Sequence, residues 1–238
     1  MTEAAGWRIL ITGFGPFPGV ADNVSAALAK RLAEAARARW AGHNITSAVL
    51  PTEWVAGPAR LQQLWDEARP DLALHFGVAS DARGLQIEAI GRNACRFDAD
   101  AAGLLPVSTQ WQAGGPPTCS TQLPLAHIVE ALAHEKVPCC ISEDAGAYLC
   151  NAVLYSSIQR AGAAEPPALA GFVHIPTELG DGDGNVGAGG TARVLTWPGA
   201  LAGGLAIIAC SLDVLNKRRE TNRNGRSASR QKAPSRRG

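Results

Sequence analysis

Three residues far apart in the chain, Cys150, His174 and Glu88, are of the types that together make a working thiol nucleophile. Cys150 lies in Ile141-Ser-Glu-Asp-Ala-Gly-Ala-Tyr-Leu-Cys-Asn151, where a short apolar run (Val137 to Ile141) gives way to a polar cluster and then to a helical pattern through Ala152, Val153, Tyr155 and Ile158. With Ser142 or Asp144 as N-cap, the thiol falls one to two turns into a helix, near the positive end that favours a thiolate. His174 stands in Gly171-Phe-Val-His-Ile-Pro176, at the end of an apolar stretch, where the following Pro brings it out at the sheet edge. A His there can take the thiol proton and later protonate a leaving amine. Glu88, within Leu85-Gln-Ile-Glu-Ala-Ile90, is a carboxylate among apolar neighbours. A buried carboxylate needs a partner, and an imidazolium is a suitable one. Each residue also has a plainer reading: a packed cysteine, a satisfied core histidine, a solvent-facing acid.

The elements that must position these residues are legible as alternating strands and helices. Strands are expected at Trp7–Thr12, Ile45–Leu50, Pro70–Phe76, Leu85–Ile90, Val137–Ile141 and Ala168–Ile175. Helices are expected over Asn23–Ala38, Trp54–Glu67, Leu125–Glu135, the Cys150 segment, and a last apolar helix ending near Leu215. This alternation predicts an α/β fold, a three-layer α/β/α sandwich with a mixed, mainly parallel central sheet. Asn93 to Pro124 has no clean period, and Gly180 to Gly190 reads as a flexible loop. The run Ala200 to Leu215, rich in Gly and Ala, is read as a buried helix and not a membrane span.

Other chemistries find little support. Gly13-Phe-Gly-Pro-Phe-Pro-Gly19 follows a strand, but its spacing and two prolines make a poor phosphate cradle, and no Walker lysine follows. Phe14 and Phe17 are better read as walls of a small apolar pocket at the strand's carboxyl end. Six cysteines at 95, 119, 139, 140, 150 and 210 show no metal-ligand spacing, so neither metal nor cofactor is expected, and no secretory signal is visible. They read as reduced thiols of a cytoplasmic protein.

Of 238 residues, 46% are apolar and the net charge is +1, but the charge is unevenly placed. Asn216 to Gly238 holds nine Lys/Arg and one Glu, or +8, which leaves −7 on the rest. The chain therefore divides into a domain over 1–215 and a basic tail over 216–238, expected to be disordered and able to contact a polyanion.

Taken in order, Thr12-Gly-Phe-Gly-Pro-Phe17, Val49-Leu-Pro51, Glu88 with Asn93, Ser120-Thr-Gln-Leu-Pro124, Asp144-Ala-Gly-Ala-Tyr-Leu-Cys-Asn151 and Phe172-Val-His-Ile-Pro176 resemble the pyroglutamyl peptidase I (pyrrolidone-carboxylate peptidase) family of cysteine peptidases over about residues 8 to 215. The resemblance implies a phosphorylase/hydrolase-like fold and a cysteine exopeptidase that removes N-terminal pyroglutamate from peptides through a thioacyl-enzyme. Cys150 would be the nucleophile, His174 the base and Glu88 the acid. Phe14, Phe17, Val78, Tyr148 and Leu149 would line the lactam pocket, and Arg96 and Asp100 would support the oxyanion region. Family members often self-associate. The chain departs from the family at Glu88-Ala89, where many members have Glu-Arg, and at Cys95-Arg-Phe-Asp-Ala-Asp100, where the common block is Asp-x-Arg-x-Pro-Asp. Two alternatives accompany this reading: a cysteine amidase of other specificity, and a degenerate member that binds through its basic tail.

Overall fold

The computed structural model describes residues 6–182 and 195–231, with side chains through Asn224. Most of the Gly-rich loop and the last seven residues of the basic tail lie outside the described residues. The elements are β1 (Arg8–Phe14), α1 (Val24–Arg39), β2 (Asn44–Leu50), α2 (Ala56–Ala68), β3 (Leu72–Val78), β4 (Leu85–Glu88), β5 (Ile90–Arg92), β6 (Thr118–Ser120), α3 (Leu125–His134), β7 (Cys139–Ser142), α4 (Leu149–Ala163), β8 (Leu169–Ile175) and α5 (Trp197–Gln231).

Six strands form one sheet in the order β2-β1-β3-β8-β4-β7. β1, β2, β3 and β8 are mutually parallel, β4 is antiparallel to β8, and β7 runs parallel to β4. β5 and β6 pair separately as a small antiparallel ribbon.

The period of two along buried strands sorts side chains between two helical layers. Ile9, Ile11, Leu72, Leu74, Phe76, Leu169, Val173 and Ile175 join one core cluster, with residues of α1, α3 and α5. Leu10, Phe14, Ala73, Ala170 and Phe172 join the other, with residues of α2 and α4. Small side chains on that second face, Ala73, Gly77 and Ala170, let α4 lie close on the sheet. Leu28 and Leu32 of α1 and Leu132 of α3 meet Ile207, Ile208 and Leu212 of α5 in the first cluster. The apolar half of α5 is long and apolar enough to cross a membrane by composition alone, but here it packs against α1 and α3.

Two expectations change. Leu85–Ile90 is not one strand: β4 ends at Glu88, and Ile90 begins the ribbon strand β5. The helix expected to end near Leu215, with disorder from 216, instead runs on to Gln231. Extending a formed helix costs far less than nucleating one, so an Arg-rich polar sequence can continue it. The extension is also anchored. Trp7 Nε1 donates to Asn216 Oδ1 at 2.8 Å, and the Arg219 guanidinium lies 3.3 Å from the centre of the Trp7 ring.

Candidate active site

Three adjacent strands place the chemistry. In the register of the sheet, Gly77 of β3 lies opposite His174 of β8, and His174 lies opposite Gln86 of β4. Because β4 is antiparallel to β8, Glu88 is the diagonal neighbour of His174 on the same face. The imidazole Nδ1–H donates to Glu88 Oε1 at 2.7 Å. Gln86 Nε2 donates to the same oxygen at 3.2 Å. Glu88 is fully buried, and its Oε2 has no partner.

Cys150 reaches this row from the second helical layer. It is the second residue of α4, whose N-cap is Tyr148, not Ser142 or Asp144 as expected. Those two residues build the turn before the helix: Asp144 N donates to Ser142 Oγ, and Gly146 N donates to Asp144 Oδ1. Gly146 completes the turn at φ 76°, a conformation that suits glycine. The thiol therefore sits inside the first turn, where free backbone N–H groups favour an anion.

Gly77 makes room for the sulfur. A Cβ at position 77 would stand 2.9 Å from Cys150 Sγ and 2.7 Å from the Phe172 ring, both inside contact distance. Since Nδ1 of His174 is taken by Glu88, Nε2 is left to serve the thiol. Burial alone would push His174 down. The charge and hydrogen bond of Cys150, followed by those of Glu88, raise it instead to about 10. The site favours the imidazolium form of His174.

The remaining expected site residues separate into groups. Phe14 is buried on the same face, its ring 6.2 Å from Phe172, which in turn lies 4.9 Å from His174. These rings form an apolar floor. Phe17 is half-buried in a turn closed by reciprocal hydrogen bonds with Val20, at the carboxyl edge of β1, two strands from His174. Tyr148 is half-buried, edge-on to Trp54 at 5.0 Å, and its hydroxyl donates to Ala99 O.

Two residues expected to line the pocket pack their side chains elsewhere. Leu149 is 1% exposed and packed in the α2/α4 core, since a helix turns consecutive side chains about 100° apart and Cys150 takes the position facing Gly77. Val78 packs in the opposite cluster, because strand alternation sends it to the other face from Gly77.

Arg96 and Asp100 organise the loop beside the site. Asp100 is buried and accepts backbone N–H bonds from Trp54 (2.7 Å), Ala102 (2.9 Å) and Leu104 (2.8 Å). An ionised carboxylate has no donor to offer an oxyanion, so its part here is to hold the loop. Arg96 pairs with Asp98, and its main-chain N–H donates to Ala147 O, just before α4.

Three residues absent from the expected set matter to this geometry. Gly77 gives the sulfur its space, Trp54 binds the Asp98–Asp100 loop to Tyr148, and Asn151 clamps α4 to β5. Asn151 accepts from Arg92 N at 2.8 Å and donates to Arg92 O and Ala94 O. Asn151 was visible in the sequence block around Cys150. Gly77 and Trp54 carried no periodic signal.

Comparison with known proteins gives a consistent picture. The family model described as pyroglutamyl peptidase matches residues 7–181. A pyrrolidone-carboxylate peptidase of Levilactobacillus brevis is 36% identical over 172 residues, covering 71% of this chain and 81% of that protein. The corresponding protein of Pyrococcus furiosus is 31% identical over 172 residues, covering 71% and 80%. Among solved structures, pyroglutamyl peptidase I from Bacillus amyloliquefaciens superposes with a TM-score of 0.74 at 26% identity, covering 87% of this chain and 95% of that one. The pyrrolidone carboxyl peptidase of Thermococcus litoralis gives 0.76 at 25% identity, covering 89% and 96%.

Proposed function

This chain belongs to the pyroglutamyl peptidase family of cysteine peptidases, and from that premise we propose how its residues remove an N-terminal pyroglutamyl residue. Cys150 Sγ attacks the carbonyl carbon that joins pyroglutamate to the next residue. His174 Nε2 holds the proton that the thiol gives up, and Glu88 steadies the imidazolium through Nδ1, so the attacking sulfur is paired with a cation. Collapse of the tetrahedral adduct breaks the C–N bond, and Nε2–H protonates the departing amine. A thioacyl-enzyme and a peptide shortened by one residue result. His174 then draws a proton from water, whose oxygen attacks the thioester. Pyroglutamate leaves and the thiol is restored.

The observation that carries this reading is the 2.7 Å bond between buried Glu88 and His174, beside a sulfur that only a glycine at position 77 accommodates. A carboxylate with one free oxygen and no water-facing surface is costly unless it stabilises a charge next to it. The pyroglutamyl ring is small, flat and uncharged, which suits the apolar floor of Phe14 and Phe172 with Phe17 and Tyr148 at the rim. All six cysteines are free thiols, in keeping with a reduced, cytoplasmic setting.

The test is release of aminomethylcoumarin from a pyroglutamyl amide under reducing conditions, beside Cys150→Ser. Turnover by the native chain and loss of nearly all of it in the variant are expected. No turnover by a folded native chain, or release of other acyl groups in preference to pyroglutamyl, defeats the reading.

A further inference from the structure

At the end of the sheet opposite the thiol, where β1, β3 and β8 begin, an open groove of about 1800 Å³ runs between the body and the extended part of α5. The groove is open along its length and is bounded by the start of the sheet on one side and α5 on the other. Its lining includes five Lys/Arg side chains: Arg8, Lys217, Arg218, Arg219 and Arg223. One carboxylate lines it, Asp71, and that is already bound to Arg8 at 2.9 Å. Cations outnumber carboxylates on this lining by five to one.

The cations are also ordered along an axis. Arg219 and Arg223 stand four residues apart within α5, a spacing that keeps them on one helix face, and the sequence beyond them carries Arg226 and Arg230. From Asn216 to Gln231 the helix is roughly 24 Å long at 1.5 Å per residue. Arg219 is fixed over Trp7 and Arg218 donates to Pro167 O at 3.4 Å, so the base of the extension is pinned to the body.

We propose that this arginine-bearing extension of α5 and the groove beside it bind the phosphate backbone of duplex nucleic acid. The preference for phosphate follows from composition: seven of the nine cations after residue 215 are Arg, whose planar fork pairs with phosphate oxygens two at a time. A membrane surface fits less well, because this stretch has no apolar side chain larger than Ala to insert between lipids. Trp7 is buried beneath Arg219 and the extension has no aromatic residue of its own, so nothing offers stacking to an unpaired base. Binding is therefore expected to be sequence-independent and governed by salt. Strands of seven residues put this surface roughly 20 Å from Gly77 and His174, so an occupied groove leaves the catalytic edge open. The extension acts as a tether for a peptidase whose remaining 215 residues are acidic.

The experiment measures fluorescence anisotropy of a labelled duplex of about 20 base pairs with the full chain, from about 50 to 200 mM salt. Neutralising four to six phosphates predicts a log–log salt slope of about −4 to −5. The triple variant Arg223→Gln/Arg226→Gln/Arg230→Gln should weaken binding at least tenfold and leave coumarin release unchanged, while the triple Lys replacement should keep most of the binding. Absence of binding at low salt, or equal binding by the Gln variant, overturns the proposal. So does co-flotation with phosphatidylserine vesicles at protein concentrations where the duplex stays unbound, which would assign the face to a membrane. Since coumarin release is read in the same samples, failure here is separable from failure of the peptidase reading.

Discussion

His75 and His174 stand on neighbouring strands, face the same helical layer and are both buried, yet their surroundings push them in opposite directions. Phe172 separates them, its ring 6.5 Å from one and 4.9 Å from the other. His75 meets only hydroxyls, Thr12 Oγ1 at 2.7 Å and Ser157 Oγ at 2.8 Å, and burial pushes it down to about 3. His174 suffers the same loss of water, but Cys150 and Glu88 outweigh it and raise the ring to about 10. Burial sets the stakes and the partner's charge decides the outcome. One histidine ties α4 to the sheet as a neutral linker. The other, two residues beyond the register partner of His75, is the proposed base.

The largest separation between the two should appear in catalysis. His174→Ala is expected to lower kcat/KM by about 10³–10⁴-fold, with little further loss when combined with Cys150→Ser. His75→Ala should act on stability, costing about 2–4 kcal/mol in urea unfolding through the cavity and the abandoned hydroxyls, with kcat of the folded protein within a few-fold of native. If His75→Ala abolished turnover in a folded protein, the division of labour would be wrong. Glu88→Gln keeps shape but removes charge, so about a tenfold fall in kcat is expected. Its alkaline limb should also move to lower pH, because His174 loses an anionic partner; an unmoved limb would mean that Glu88 does not set the charge of His174.

The two histidines also differ in how stability changes with pH. His75 is lowered in the folded state, so the unfolded chain binds its proton first, and stability present above about 6.5 drains away as pH falls toward 3. The slope is about 1.4 kcal/mol per pH unit and should be missing from His75→Ala. His174 is raised, and its contribution runs the other way: fully present below about 6.5 and lost as pH rises to about 10. Urea titrations across both ranges, on native and variant chains, separate the two.

Much of this arrangement is legible in the sequence, because a thiol, an imidazole and a carboxylate each sit where a strand or helix pattern begins or ends. Cys150, His174 and Glu88 are brought together as their local settings suggested. What escaped is what local pattern does not encode. The antiparallel placement of β4, which turns Glu88 toward His174, depends on which strand enters the sheet beside which. The start of α4 at Leu149 was misjudged because Ser142 and Asp144 are good caps that the chain spends on a turn instead. Leu149 and Val78 are expected in the pocket lining from the resemblance alone, whereas helix rotation and strand alternation send their side chains elsewhere. Gly77 has no side chain to signal anything, and its importance is the volume it leaves empty. The helical extension past Leu215 was hidden by a composition that has no reason to fold alone but can prolong a helix already packed.

The strand order carries one more consequence, for how the site is assembled. β3 and β4 follow each other in the chain, with six residues between them, yet they are not neighbours in the sheet: β8 lies between them. The last strand among the described residues is therefore bounded on both sides by strands that precede it by about 80 to 90 residues, a pairing of high contact order. It is that strand that carries His174. A chain in which β8 is unpaired leaves Glu88 without its imidazole, so the site exists only where the longest-range pairing of the sheet has closed.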